Sequence, residues 1–162
     1  LFAGPVGGEY PGIVFSSFNG GSPSAITSFS RSGQNSMFTV EVPYGGGGWA
    51  ADLATPAQGF AFWTGDLEFP GTTVSLYDSQ SNLLGTFDLL DVGGGNGPFA
   101  YGFNGFLSDV ADIARIEVTI DPADAVWFDD VQFGTLPTAS VTDDAPASSV
   151  TTWGRLKASF RR

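Results

Sequence analysis

The sequence predicts an all-β fold, a jelly-roll-like antiparallel β-sandwich followed by an extended C-terminal tail. Three observations predict it. The chain has 23 glycines and 10 prolines, which favour turns over long helices. Short apolar segments alternate with glycine-rich connections, as in sandwiches and barrels. At 162 residues, the chain is long enough to bury one substantial core.

The predicted strands differ in how clearly their pattern of apolar and polar residues identifies them. Residues 114–120 alternate strictly between aliphatic and polar side chains, which predicts a strand with one buried face. Residues 73–78 and 83–87 flank a polar turn and predict a hairpin. Residues 59–64 are apolar almost throughout, so we expect a largely buried strand, with Trp63 in the core.

The composition excludes several classes of function. The chain has no cysteine and no histidine, which removes disulfides, thiolate metal sites and the Ser-His-Asp triad. A net charge of −11 argues against nucleic acid as a partner, because phosphate binding requires a basic surface. No apolar run is long enough to span a bilayer. The chain begins with Leu, so we expect an exported protein whose signal peptide has been removed.

Charge is strongly segregated along the chain. All seventeen carboxylates lie between Glu9 and Asp144, whereas four of the six cations lie in the last eight residues. We therefore predict a sandwich domain (residues 1–134), a Ser/Thr/Pro/Ala-rich linker (135–152) and a basic amphipathic tail (153–162), called here the C-terminal basic segment.

The C-terminal basic segment combines aromatic and cationic side chains, and spacings of three and four residues favour a short helix. We expect it to pack on the acidic body of a second copy, in a head-to-tail contact that need not close into a ring. The alternative is a solvated, frayed end. The predicted interface residues are Trp153, Arg155, Leu156, Lys157, Phe160, Arg161 and Arg162.

This segregation suggests one function, that of an extracellular structural subunit. The domain would assemble with itself into a filament, sheath or surface layer. Because residues 1–134 contain no lysine, exposed sheet edges lack a common guard against edge-to-edge pairing.

Five segments, taken in order, resemble a known group of domains. They are residues 9–17, 61–66, 71–78, 113–118 and 127–134. Together they are similar to secreted bacterial β-sandwich domains that often occur in proteins with PEP-CTERM sorting tails. The resemblance implies an extracellular or cell-surface jelly-roll domain of bacterial type. The C-terminal basic segment departs from that pattern, because it lacks the apolar helix of a PEP-CTERM tail.

A similar closing strand in jelly-roll carbohydrate-binding modules suggests a metal site. Those modules use an aspartate of this strand for structural calcium, and Asp129 and Asp130 occupy the position here. Glu9 stands where a second ligand often comes from. Calcium binds such carboxylate oxygens readily. The alternative is that the aspartates accept hydrogen bonds from turn amides.

The second function considered is carbohydrate binding, as part of an adhesin or matrix protein. Trp49, Tyr44 and Tyr101 are candidates to stack on the rings of a polysaccharide, although Trp49 could instead pack over the end of the sandwich. Trp127 sits in a strand pattern, so we expect it in the core.

We do not expect an enzyme. Paired carboxylates can hydrolyse glycosidic bonds. Asp66 with Glu68, or Asp88 with Asp91, would supply them, but nothing around these pairs indicates a raised pKa.

Overall fold

The computed structural model describes residues 2–5, 10–26, 36–40, 47–67, 69–89 and 101–135. These residues form eleven β-strands, and no helix occurs among them. The strands are β1 (Phe2–Pro5), β2 (Ile13–Phe18), β3 (Ser22–Ile26), β4 (Ser36–Val40), β5 (Gly48–Ala57), β6 (Gly59–Gly65), β7 (Thr73–Tyr77), β8 (Leu83–Asp88), β9 (Tyr101–Leu107), β10 (Ile113–Thr119) and β11 (Trp127–Gly134).

The strands form two sheets that pack face to face. The six-stranded sheet has the order β1-β3-β4-β11-β6-β9, and the five-stranded sheet has the order β2-β5-β10-β7-β8. Every strand pair is antiparallel. The predicted jelly-roll-like β-sandwich is therefore confirmed for the described part of the chain.

The core between the sheets is rich in aromatic side chains. Trp49 on β5 is 0% exposed and lies at its centre. Its ring meets Phe15 at 5.6 Å, Phe62 at 5.9 Å and Phe128 at 5.2 Å, all in edge-on geometry. Edge-to-face packing is a preferred arrangement of aromatic rings. These contacts connect β2 and β5 of one sheet to β6 and β11 of the other.

The alternation predicted for β10 is confirmed. Ile116 and Val118 are fully buried, while Arg115, Glu117 and Thr119 between and beside them are half-buried on the opposite side of the strand. A strand with one buried face shows this period of two.

Strand β11 is irregular at its midpoint. Among the described residues, it pairs with β4 at Trp127 and Phe128. Its pairing with β6 shifts register between Asp129 and Gln132, and Asp130 has a positive φ of 50°. These features are typical of a β-bulge, which bends a strand and redirects its side chains.

The described residues include no helix long and apolar enough to cross a membrane. The linker and the C-terminal basic segment lie outside them, apart from Thr135. The predicted division of the chain at residues 134 and 152 therefore stays a prediction.

Candidate functional site

The outer face of the six-stranded sheet carries four aromatic rings where a solvent-facing sheet usually carries polar side chains. We call this surface the aromatic face and define it by Trp63 on β6, Tyr101 and Phe103 on β9, and Trp127 on β11. All four side chains are half-buried. Their strand neighbours Phe62, Thr64, Asn104 and Phe128 are buried on the inner side.

Backbone pairing aligns the four rings in two adjacent rows. In one row, Trp63 lies between Asp129 and Phe103. The Trp63 and Phe103 rings are 5.3 Å apart and tilted by 58°. In the next row, Gly65 separates Trp127 from Tyr101. Since neighbouring strands are about 4.8 Å apart, the backbones of Trp127 and Tyr101 lie about 10 Å apart.

Beyond the rings, the same face descends into a shallow groove of about 120 Å³. Its floor uses small residues, including Gly59, Ala61 and Gly105. The ring of Phe103 lies against Gly105. A Cβ added at Gly105 would lie only 3.1 Å from Phe103 Cε1. Gln132 of β11 lines the groove opposite Ala61 and adds an amide.

Polar groups border the rings and fix their orientation. The indole Nε1 of Trp127 donates a hydrogen bond to Asp66 Oδ2 at 3.3 Å. Asp66 has a positive φ of 61°, a conformation that Asp and Asn tolerate better than most residues. Burial, and then the charge of Asp129, raises the pKa of Tyr101. The Tyr101 hydroxyl therefore stays protonated at neutral pH and keeps a proton to donate.

The outer face of the five-stranded sheet is built differently. Arg115 Nη1 donates to both carboxylate oxygens of Asp52, at 2.8 and 2.9 Å, and Arg115 Nε donates to Glu117 Oε1 at 2.9 Å. Ser75 and Thr86 share a hydrogen bond of 2.9 Å across β7 and β8. This face has the polar character expected of an exposed sheet surface.

Of the predicted sugar-binding residues that the structure describes, Tyr101 lies on the aromatic face and Trp49 does not. The prediction for Trp49 is wrong, because its side chain is 0% exposed at the centre of the core. The glycine run before Trp49 suggested a loop. However, Gly48 already belongs to β5, and a Cβ there would clash with the carbonyl oxygen of Val118. Tyr44 lies outside the described residues.

The core assignments of Trp63 and Trp127 are also wrong. Both face outward, opposite the buried Phe62 and Phe128. Phe103 was not predicted at all. The strands β6 and β11 are aromatic on both faces, so periodicity alone could not identify their inner side. The pairing of β6 with β9 would have identified the outward face of β6, because it places Trp63 beside Phe103.

The predicted calcium ligands are only partly described. Asp129 and Asp130 are both half-buried at the bulge, and the Asp130 amide donates to Asp129 Oδ1 at 2.8 Å. Glu9 lies outside the described residues. Among the residues that are described, no group of three or more metal-binding side chains occurs. The calcium site therefore stays a prediction.

The remaining sequence candidates fall largely outside the described ranges. Glu68 and Asp91, each one member of a carboxylate pair considered for hydrolysis, are not among the described residues. Nor are the seven predicted interface residues of the C-terminal basic segment.

Comparison with known proteins adds information on the fold alone. No protein-family model matches this sequence, and no curated protein sequence matches it. Among solved structures, the chain is similar to TmCBM61 in complex with β-1,4-galactotriose, with a TM-score of 0.50 and 12% identity over 78% of this chain and 90% of the other. It is also similar to the enzymatically active domain of tailspike protein 4 from bacteriophage CBA120, with a TM-score of 0.50 and 14% identity over 76% of this chain.

The described chain matches only 19% of that tailspike domain. A third similar structure is the xylan-binding domain from Paenibacillus barcinonensis, with a TM-score of 0.47 and 8% identity over 76% of this chain and 87% of the other. At 12% and 14% identity, the similarity to the first two structures supports a β-sandwich architecture alone, and any function has to be argued from the aromatic face itself.

Proposed function

We propose that this domain is a carbohydrate-binding module that holds a polysaccharide on the aromatic face. The observation that carries the proposal is the outward placement of Trp63, Tyr101, Phe103 and Trp127. Binding sites for small molecules combine apolar and aromatic surface with a few placed polar groups. The C–H faces of sugar rings can pack on such aromatic side chains, while their hydroxyls need hydrogen-bond partners.

The polar border of the aromatic face matches that second requirement. Asp129 beside Trp63, Gln132 beside the groove and the protonated Tyr101 hydroxyl offer acceptors and donors to hydroxyl groups. The similarity of fold to TmCBM61, whose structure contains β-1,4-galactotriose, supports the proposal without defining the ligand.

Charge favours an uncharged polymer over a uronic acid polymer. Asp66 and Asp129 both lie at the aromatic face. Among the described residues the only cation is Arg115, which lies on the other sheet and is paired with Asp52 and Glu117. These carboxylates at the aromatic face would repel an anionic polysaccharide. We expect a neutral glycan, bound outside the cell and without cleavage.

Calorimetric titration of the full chain against soluble galactan, xylan and other neutral polysaccharides tests the proposal. We expect Trp63→Ala and Trp127→Ala each to weaken binding roughly 30-fold, since a central aromatic anchor contributes about 2 kcal/mol. Tyr77→Ala, which removes an aromatic ring from the outer face of the five-stranded sheet, is the matched control and should bind normally. Absence of binding to every glycan, or equal loss in the control, would contradict the proposal.

Self-assembly into a filament, sheath or surface layer stays a separate prediction. It depends on the C-terminal basic segment, and no described residue favours it over carbohydrate binding.

A further inference from the structure

The groove beside the aromatic face is bounded by side chains at both of its ends along β9. Phe103 lies at the end nearer the rings, and Leu107 lies at the other. Leu107 lies against Gly59, and a Cβ added at Gly59 would be 3.0 Å from Leu107 Cδ2. Strand β6 begins at Gly59 and β9 ends at Leu107, so the paired surface of these two strands ends there as well.

The space between the two side chains is that of about one six-membered ring. The groove has a volume of about 120 Å³, and an engineered protein cavity of about 150 Å³ binds benzene. Phe103 and Leu107 are four residues apart on β9, which places their Cα atoms about 13 Å apart. Because each side chain occupies part of that distance, one sugar ring fits between them and a second does not.

The lining of the groove matches the chemistry of a sugar ring, which has C–H faces and a rim of hydroxyls. None of the described residues that line it is charged. Ala61 and Gly105 are paired neighbours on its floor, so no side chain larger than a methyl group keeps a ring away from the sheet there. Phe103 supplies an aromatic wall. On the β11 side, the amide of Gln132 can both donate and accept hydrogen bonds.

The groove is continuous with the aromatic face. The ring of Phe103 lines the groove and also lies 5.3 Å from the ring of Trp63. A sugar unit in the groove can therefore be linked directly to a sugar on the aromatic face. On the other side of the groove, Leu107 blocks a further unit along β9.

We propose that the groove binds one terminal sugar unit of the glycan that the aromatic face holds. The domain then recognises chain ends or single-sugar branches, which share this chemistry, and not the interior of an unbranched chain. This inference rests on the proposed function, because the aromatic face has to hold the adjoining sugar.

Calorimetric titration of the full chain measures how many protein molecules bind each glycan chain. The probes are unbranched β-1,4-linked galactan and xylan in fractions of increasing length. A further probe is galactomannan, whose backbone carries single galactose branches, before and after enzymatic removal of those branches. Chain-end recognition predicts one protein molecule per unbranched chain at every length. Branch recognition predicts binding to galactomannan that is lost when the branches are removed. A number of bound molecules that grows with the length of an unbranched chain would overturn the proposal.

Filling the groove tests the same subsite by affinity. Ala61→Leu places a larger apolar side chain on the floor, and we expect it to weaken binding roughly tenfold or more, since the contacts of one sugar unit are lost. The matched control is Ala54→Leu on β5, because Ala54 is exposed on the other sheet. Thermal unfolding of both variants reports whether the fold is retained.

A second variant leaves the floor of the groove unchanged. Gln132→Ala should weaken binding about 3- to 10-fold, which corresponds to the loss of one hydrogen bond. Gln132 is exposed, so its replacement keeps the fold even if Ala61→Leu does not. Gln80→Ala removes an amide from the turn between β7 and β8 and should bind normally.

The proposed function and this inference fail in different ways. If Trp63→Ala weakens binding while Ala61→Leu and Gln132→Ala bind as the wild type does, the glycan occupies the aromatic face without the groove. That result would overturn this inference alone. Absence of wild-type binding to every one of these glycans would overturn the proposed function, and this inference with it.

Discussion

The outer faces of the two sheets differ in chemistry, because one is polar and the other is aromatic. On the five-stranded sheet, Arg115 is paired with Asp52 and Glu117, so polar groups contact each other as well as water. On the six-stranded sheet, the aromatic face presents indole, phenol and phenyl rings. Polar pairs on a sheet contribute modestly to stability. Half-exposed rings contribute less to stability than buried ones do, and the proposed function gives their exposed surface a role.

The largest expected effect is on the free energy of unfolding, and it distinguishes the buried Trp49 from the half-buried Trp63. Trp49→Ala should lower the free energy of unfolding by about 4 kcal/mol, because it leaves a cavity among Phe15, Phe62 and Phe128. Trp63→Ala should cost only about 1–2 kcal/mol, since its ring is half-buried. Chemical denaturation measures both. Equal losses of stability in the two variants would contradict this distinction, because Trp63 would then contribute to the fold as a core residue does.

A smaller effect is expected on the polar face. Arg115→Met should lower stability by less than about 1 kcal/mol, since the guanidinium side chain is 31% exposed and solvent screens its ion pairs. It should leave glycan affinity unchanged. Thermal unfolding and glycan titration of the same variant check both statements. A loss of glycan affinity with an unchanged melting temperature would mean that the glycan binds the five-stranded sheet, and it would contradict the proposed site.

The smallest effect concerns the turn between β7 and β8. Hydrogen bonds from the Asn82 side chain and backbone, and from the Gln80 backbone, lower the pKa of Asp78. A carboxyl whose pKa is lower in the folded protein stabilises the fold above its unfolded pKa of about 3.9. That contribution is lost as pH falls through the lower folded value.

Comparing wild type with Asp78→Asn isolates this contribution. The melting temperature of wild type should exceed that of the variant slightly near pH 6, and the difference should shrink as the pH falls below about 4. A difference that grows in acid would contradict the assigned hydrogen bonds. Glycan binding should be unaffected at either pH, because this turn belongs to the five-stranded sheet.

The architecture was accessible from the sequence because local signals agreed. The strict alternation around Ile116 and Val118 has one physical solution, a strand with a single buried face. The hairpin of β7 and β8 likewise follows from its own residues, since Asp78 and Asn82 close the turn by hydrogen bonds. Such features need no knowledge of the distant chain.

The aromatic face was not accessible in this way. It joins β6, β9 and β11, and which side of each strand faces outward depends on pairing between residues far apart in sequence. Trp63 and Trp49 are chemically identical, and only pairing distinguishes the exposed ring from the buried one. The bulge at Asp130 adds a further shift in register that no alternation pattern announces.

Strand β11 has one consequence for how this domain can change over evolutionary time. Its first half supplies Trp127 and Asp129 to the aromatic face, and its second half, including Gln132, lines the groove beside that face. Mutations accumulating in these eight residues would affect the rings and the groove together. Diversification of either one should therefore proceed through the neighbouring strands β6 and β9, while β11 itself changes slowly.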